Sequence, residues 1–447
     1  MPTSYDVRFL DVKKVKDRPR RPWRLRWFVA GQPKSKMFAT KALADNHKAK
    51  LMRAAQKGEA FDVETGEPVS WHKHAQRVTW YEHAVKYVEM KWPRVAAKSR
   101  RSIADTLATV TPALVKHTRG QPDSKLLRRA LYGWAFNPKA RQESEPPKEV
   151  AQALAWISKA SVALVDLNER ETVRKALDTL ALRLDGKPAG ANTVKRKRAV
   201  FYNVLEYAVE LDRLDSNPIE RVKWRAPAAL EVVDRRVVVN PKQARALLDA
   251  VRAEAPAQLA FFGCLYYGAL RPAEAVNLWL ADCHLPEQGW GELLLSGSLP
   301  HSGAAWTDTG EGREERGLKH RPRKGTRPVP IPPRLVALLR EHIDTFGVTP
   351  DGRLFRGARG GPLSESVYGE TWRKAREKAL TPDQQASPMA RRPYDLRHAA
   401  VSTWLNAGVP ATEVAKRAGH SVNVLLKVYA KCLDGQAEIA TGGSKRF

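Results

Sequence analysis

Apolar and polar positions alternate at the start of the chain, first at Tyr5, Val7 and Phe9 and then at Trp23, Leu25, Trp27 and Val29. A period of two puts these side chains on one face of strands, and Gly31-Gln32-Pro33 reads as the turn that breaks them. From Lys41 to Lys57 the period lengthens to that of a helix, with Leu43, Ala44, Leu51 and Ala54 on the apolar side and Gly58 as the stop. Between Trp71 and about Arg225 the spacing stays near 3.6, as in Trp80, Val85, Tyr87, Val88 and Met90, and again in Val200, Val204, Leu205, Ala208 and Leu211. The last of these helices is expected to start after Asn192-Thr193 and to end at Asp215-Ser216-Asn217-Pro218.

Residues 226–239 read as a linker, because a Pro-bounded helical region gives way to a short β-branched run. Asn240-Pro241 then restarts the chain as an N-cap followed by Pro at the first helical position. The nearly apolar run Ala257–Leu270 is too short to cross a bilayer and predicts a buried helix. Glu292–Leu295 and Arg327–Ile331 predict strands flanking a charged segment, in which the Gly/Glu/Arg-rich stretch Thr307–Gly317 reads as mobile. At 447 residues the chain exceeds what one hydrophobic core supports. Three domains are expected: 1–66, small and β-rich (α+β); 67–225, all-α; and, after the linker, 240–447, mostly helical α+β with a small β-sheet.

Charge narrows the partners. With 77 Lys and Arg against 48 Asp and Glu, the net charge is +29, which favours a polyanion and points to nucleic acid over an anionic membrane surface. Residues 1–60 hold 16 Lys and Arg against 5 Asp and Glu, a balance of +11. There Lys13, Lys14, Lys16, Arg18, Arg20, Arg21, Arg24 and Arg26, interleaved with Trp23 and Trp27, read as a phosphate-gripping segment. Lys195, Arg196, Lys197 and Arg198, expected in a helix's first turn, oppose the macrodipole there, and a phosphate would relieve that cost. The three cysteines, Cys264, Cys283 and Cys432, form no C-x-x-C pair and imply neither a disulfide framework nor a zinc site. The scarcity of cysteine predicts a reducing, cytoplasmic location, and the start lacks the apolar core of a signal peptide.

A phosphodiester resists attack because its anionic oxygens repel a nucleophile and its alkoxide leaves poorly. Chemistry without a metal needs fixed cations, a nucleophile and an acid for the leaving oxygen. Arg271 follows the apolar run FFGCLYYGAL and precedes Glu274, while Arg397 closes the box Tyr394-Asp395-Leu396-Arg397 and is followed by His398. Gly419-His420-Ser421 comes next, and Tyr429 lies nine positions after His420.

This order, Arg271-Pro-Ala-Glu274, a hairpin with Lys319 and Lys324 before Arg327-Pro-Val-Pro330, then Tyr394-x-x-Arg397, Gly419-His420 and Tyr429, resembles the tyrosine recombinases of the phage-integrase family over about residues 238–435. Upstream, the architecture is similar to integrases of actinobacterial phages and mobile elements. The resemblance implies an arm-type DNA-binding domain over 1–66, a helical core-binding domain over 67–225 and a catalytic domain over 240–447. It implies that Tyr429 attacks the scissile phosphate to give a 3′-phosphotyrosyl link, that Arg271 and Arg397 stabilise the transition state, and that His420 hydrogen-bonds a non-bridging oxygen. Lys319, with Lys324 as the alternative, would protonate the leaving 5′-oxygen. No metal, ATP or other cofactor is implied. The expected partners are double-stranded DNA attachment sites, three further copies in a tetramer, and a host bending factor or excisionase. Relaxation of DNA as by a type IB topoisomerase, and DNA binding without catalysis, are the rival functions.

One departure stands out. The first position of the family's His-x-x-Arg is Tyr394 here, and a phenol does not serve as a base near pH 7 as imidazole does. The base for the Tyr429 proton is therefore left open. Neighbours on a helix diverge by about 100°, so His398 is expected to pack or to contact DNA beside Arg397.

Overall fold

The computed structural model describes residues 2–15, 21–71, 78–227, 233–318 and 325–429. They are mixed helix and sheet and fall into two compact units, Met1–Pro227 and Ala228–Phe447.

In the first unit the strand Trp23–Val29 is central, paired with Gln32–Phe38 on one side and with Val7–Phe9 and Lys13–Lys14 on the other. Its alternation buries Leu25, Trp27 and Val29, which cluster with Leu51 and Ala54 of the helix Lys41–Gln56 and with Phe61. Arg24, Arg26 and Phe28 take the opposite face, as the period of two requires. Lys13 pairs with Arg24 in register, and Arg8 lies over the Phe28 ring at 5.0 Å. That face is basic and aromatic.

Two local expectations are corrected in this unit. The hairpin turn is Ala30-Gly31, both residues at positive φ, and not Gly31-Gln32-Pro33; Gln32 pairs with Val29 and Pro33 with Phe28. Pro33 fits there because its strand is an edge, where a missing N–H costs no ladder bond. Leu43, placed on the apolar side of its helix, is exposed, because the sheet covers only the stripe holding Ala44, His47, Leu51 and Ala54.

The helical part of this unit includes Trp80–Lys91, Ala97–Val110, Lys148–Ala160, Arg170–Leu180 and Ala191–Glu210. Thr79 and Glu82 form a capping box that fixes the start of the first of these. Trp80 packs edge-on against Phe201 at 5.4 Å, tying that helix to the last. The last helix starts at Ala191, one turn earlier than expected, so Lys195–Arg198 lie in its second turn. Lys36 pairs with Asp215 at 2.7 Å, and Lys50 pairs with Asp212.

The second unit opens with the helix Pro241–Glu254, whose Asn240 and Gln243 make a reciprocal capping box. The helix Leu259–Tyr267 is apolar on all sides and is accordingly buried almost throughout. A three-stranded antiparallel sheet runs in the order Arg327–Ile331, Gly291–Leu295, Cys283–His284. In the edge strand Arg327–Ile331, Pro328 and Pro330 lack an N–H, so only Arg327, Val329 and Ile331 can donate to the neighbouring strand. The same parity turns those three side chains inward, and all three are buried. Thr307–Gly317, read as mobile, is tied down: Thr307 Oγ1 donates to the carbonyls of Ala304 and Glu311, Arg313 donates to those of Leu299 and Leu363, and Arg316–Gly317 pairs with Gly297–Ser298. Among the described residues no helix is long and apolar enough to cross a membrane.

Candidate active site

Three elements meet around the turn Ala418-Gly419-His420. Arg271 is the N-cap of the short helix Pro272–Val276, Arg397 lies in the first turns of the helix Asp395–Asn406, and Tyr429 ends the described part of the helix Val422–Tyr429. Gly419 stops the helix Ala411–Ala418 in the left-handed conformation, at φ +63°. A Cβ there would lie 2.3 Å from Arg327 Nη1, so glycine supplies both the backbone angle and the room.

Arg397 is fully buried. Its Nη1 donates to the Ala269 carbonyl, and its Nη2 donates to the Ala418 carbonyl and to His420 Nε2, the last at 3.0 Å. Because Nε2 accepts, neutral His420 carries its proton on Nδ1. Burial, then the Arg397 and Arg271 guanidinium groups, push the His420 pKa down to about 3, which keeps the ring neutral. Arg397 Nε and His420 Nδ1 are both buried and have no hydrogen-bond partner among the described residues. A buried unpaired donor is costly, and two in one cluster suit an anion.

Arg271 donates to Glu274 Oε1 at 2.7 Å and to the Gly419 carbonyl at 3.1 Å, and its guanidinium also interacts with Tyr394. Glu274 is buried and shared: Arg327 grips both its oxygens, at 3.1 and 2.7 Å. Burial alone would raise the Glu274 carboxyl, but Arg327 and then Arg271 outweigh it and hold the pKa at about 2. A carboxylate fixed between two arginines keeps Arg271 aimed while leaving it partly exposed. Sequence reasoning missed Arg327 as part of this cluster. Its only signal was the alternation Arg-Pro-Val-Pro-Ile, which turns residue 327 to the same side as two core residues.

Tyr429 is buried, and its hydroxyl lies 2.9 Å from His398 Nδ1. His398 was expected to diverge from the cluster. The helix does turn it away from Arg397, but that turn carries it to Tyr429, and the two rings sit 5.7 Å apart. The His420 ring lies near-parallel to Tyr429 at 6.2 Å, and Tyr394 is edge-on to His398 at 5.1 Å. Val233, in the predicted linker, donates its backbone N–H to the Val428 carbonyl at 2.8 Å and so anchors the residue before Tyr429.

The structure thus brings Arg271, Tyr394, Arg397, His420 and Tyr429 together. Lys319 and Lys324 lie outside the described residues, as do Lys16, Arg18, Arg20 and the chain after Tyr429. In the other unit, Lys13, Lys14, Arg21 and Arg26 are exposed and Arg24 is half-buried. Lys195 and Arg196 are exposed and Arg198 is half-buried, but Lys197 is a correction: it is buried and donates to Thr109 Oγ1 at 3.3 Å. The run of four cations wraps more than a full turn of helix, so one of them must face the neighbouring helix.

Residues 238–435 match the model of the phage integrase family. The tyrosine recombinase XerC of Bradyrhizobium diazoefficiens is 26% identical over 172 residues, which are 38% of this chain and 44% of that protein. XerC of Mesorhizobium japonicum is 25% identical over 247 residues, 54% of this chain and 68% of that one. The chain therefore spans less than half the length of the first of these relatives. A solved structure of the Tn1549 transposon integrase, in complex with transposon right end DNA, aligns with a TM-score of 0.50 at 16% identity, covering 76% of this chain and 99% of that one, and shows a shared fold. The family match spans the turn at Gly419 and every arginine, histidine and tyrosine gathered around it, so over residues 238–435, less than half of its length, the chain is similar to the phage integrase, or tyrosine recombinase, family.

Proposed function

We propose that the protein is an integrase-type site-specific recombinase that cuts and rejoins duplex DNA through a 3′-phosphotyrosyl link on Tyr429, integrating or excising a phage or mobile element. The observation that carries this reading is a tyrosine hydroxyl packed into the same cluster as two arginines and a neutral histidine, with Arg397 Nε and His420 Nδ1 left as buried donors that have no partner among the described residues. Such donors match the non-bridging oxygens of a phosphodiester, on which negative charge grows as the phenolic oxygen adds.

In the forward step the Tyr429 oxygen forms a bond to phosphorus and the bond from phosphorus to the 5′-oxygen breaks. Lys319, or Lys324, supplies the proton to that leaving oxygen. A 5′-hydroxyl from a second strand then reverses the step, so the bond energy is stored in the covalent link and no ATP is consumed. Arg271 and Arg397 carry the cationic charge and His420 donates one hydrogen bond. Tyr394, beside Arg271, positions that guanidinium.

The finer organisation belongs to the same proposal. Residues 1–66 act as the arm-type domain, 67–225 as the core-binding domain and 240–447 as the catalytic domain. The sheet face bearing Arg8, Lys13, Arg24, Arg26 and Phe28 supports the first of these, since it sets cations and an aromatic ring on one exposed surface. Four copies on two attachment sites, assisted by a host bending factor or an excisionase, complete the reaction.

Strand exchange tests this reading. Full-length protein is incubated with a supercoiled plasmid bearing the DNA that flanks its own gene and with a labelled linear fragment of the same sequence. Recombinant joints of plasmid and fragment are expected. Relaxed plasmid without joints would instead assign a topoisomerase of type IB, and binding without cleavage would assign a DNA-binding protein.

A further inference from the structure

If Tyr429 attacks a phosphate, its proton must leave, because a free phenol with a pKa near ~10 is almost wholly protonated at pH 7. Among the described residues the His398 and His420 rings lie against Tyr429 and Tyr394 packs on His398, and two of these three groups are excluded by what else they do. Tyr394 has a phenol of its own and interacts with Arg271. His420 already uses its Nε2 lone pair to accept from Arg397, and its Nδ1 carries the proton, so it has no lone pair to offer. It is a donor only.

The third group is His398, whose Nδ1 faces the Tyr429 hydroxyl at 2.9 Å. We infer that His398 is the base that takes the Tyr429 proton as the phenolic oxygen attacks, filling the role that the tyrosine at position 394 leaves vacant. The inference rests on the phosphotyrosyl reading above. The proton passes from the Tyr429 oxygen to His398 Nδ1 while the electron pair of the O–H bond forms the new bond to phosphorus. The phosphorus bond to the 5′-oxygen breaks, and in the reverse step the same proton returns to Tyr429. His398 must start neutral with its hydrogen on Nε2, and its surroundings favour the neutral ring. Burial lowers its pKa to about 4, Asp395 opposes that, and Arg392 and Arg397 add to it. Across the cluster it faces Tyr394, Tyr429 and His420, the last two from the following helix and turn. A general base works best with a pKa near the working pH, so a ring this weak takes the proton only as the new bond forms and not before it.

The test is the rate of covalent adduct formation by full-length protein on a nicked suicide substrate, followed from pH 6 to pH 9.5. His398→Gln should bind DNA like the wild type yet form adduct about 100-fold more slowly at pH 7, the loss expected when a general base is removed. The deficit should narrow as pH rises toward the phenol's own ~10, and added imidazole should restore part of the rate of His398→Ala. A His398→Gln rate within about threefold of wild type at pH 7 would overturn the assignment, on the scale of a general-base contribution. So would a loss that is equal at every pH and untouched by imidazole, which would mark a purely structural contact. If His398→Ala does not fold, the pH profile of His398→Gln decides alone. A wild type that forms no adduct at all removes the recombinase reading, and this inference with it.

Discussion

Gly419 and Arg327 occupy each other's space: a methyl group on the first would stand 2.3 Å from a terminal nitrogen of the second. The contact joins the Gly-His turn to the strand Arg327–Ile331, and through Arg327 to Glu274 and Arg271.

Gly419→Ala should therefore fail twice. Alanine at φ +63° costs roughly 1 kcal/mol of backbone strain, and displacing Arg327 from a buried carboxylate adds on the order of 3 kcal/mol. The variant should unfold at clearly lower urea than wild type and form adduct poorly even where it is folded. Equal urea midpoints would show that Arg327 moves aside freely and that this contact does not organise the site.

Glu274→Gln should cost about 3–5 kcal/mol at neutral pH, because it strands Arg327 as a buried, unpaired cation. The cost should depend on pH. The Glu274 carboxyl is depressed from 4.5 to about 2, so its contribution is fully present above pH 4.5 and is lost as pH falls toward 2. Urea midpoints of wild type and variant should differ by a constant amount above pH 5 and converge below it. A gap that stays constant down to pH 2.5 would contradict the ion-pair account.

Lys319→Ala should slow cleavage of ordinary DNA yet spare a substrate whose bridging 5′-oxygen is replaced by sulfur, since a thiolate leaves without a proton. The same comparison on Lys324→Ala chooses between the two. Sulfur rescue of neither variant would mean that the leaving oxygen gets its proton elsewhere.

Removing Arg24 and Arg26 together should flatten the dependence of log affinity on log salt by about 1.8 on long attachment-site DNA, at roughly 0.9 per lost phosphate contact. On a short core duplex the slope should not change. Substitution suits this test better than deleting 1–66, because Lys36 and Lys50 of that segment pair with Asp215 and Asp212. Unchanged slopes on both DNAs would reduce the basic sheet face to a solvated surface.

How much of this was legible in the chain depended on distance along it. Arg271, Arg397, His420 and Tyr429 could be picked out because each sits in a short motif whose spacing carries the signal. The strand Trp23–Val29 announced itself through alternation alone. Contacts across long separations left no such mark. The approach of His398 to Tyr429 spans 31 residues and depends on how the helix Val422–Tyr429 folds back, and the burial of Arg327 depends on Glu274 arriving from 53 residues away. Lys197 misled for a related reason: within a run of cations nothing in the local pattern says which one meets the helix Ala97–Val110. The Ala30-Gly31 turn was displaced by one residue because alanine rarely takes a positive φ, whereas Gly-x-Pro is a strong turn signal.

The identity of the attacking atom is the claim on which the rest stands. Full-length protein can be trapped on a nicked suicide substrate, digested with protease and nuclease, and the nucleotide-bearing peptide sequenced by mass spectrometry. The modified residue should be Tyr429, and Tyr429→Phe should bind the same DNA with unchanged affinity and give no adduct. A nucleotide on any other residue, or an adduct that persists in Tyr429→Phe, would contradict the account.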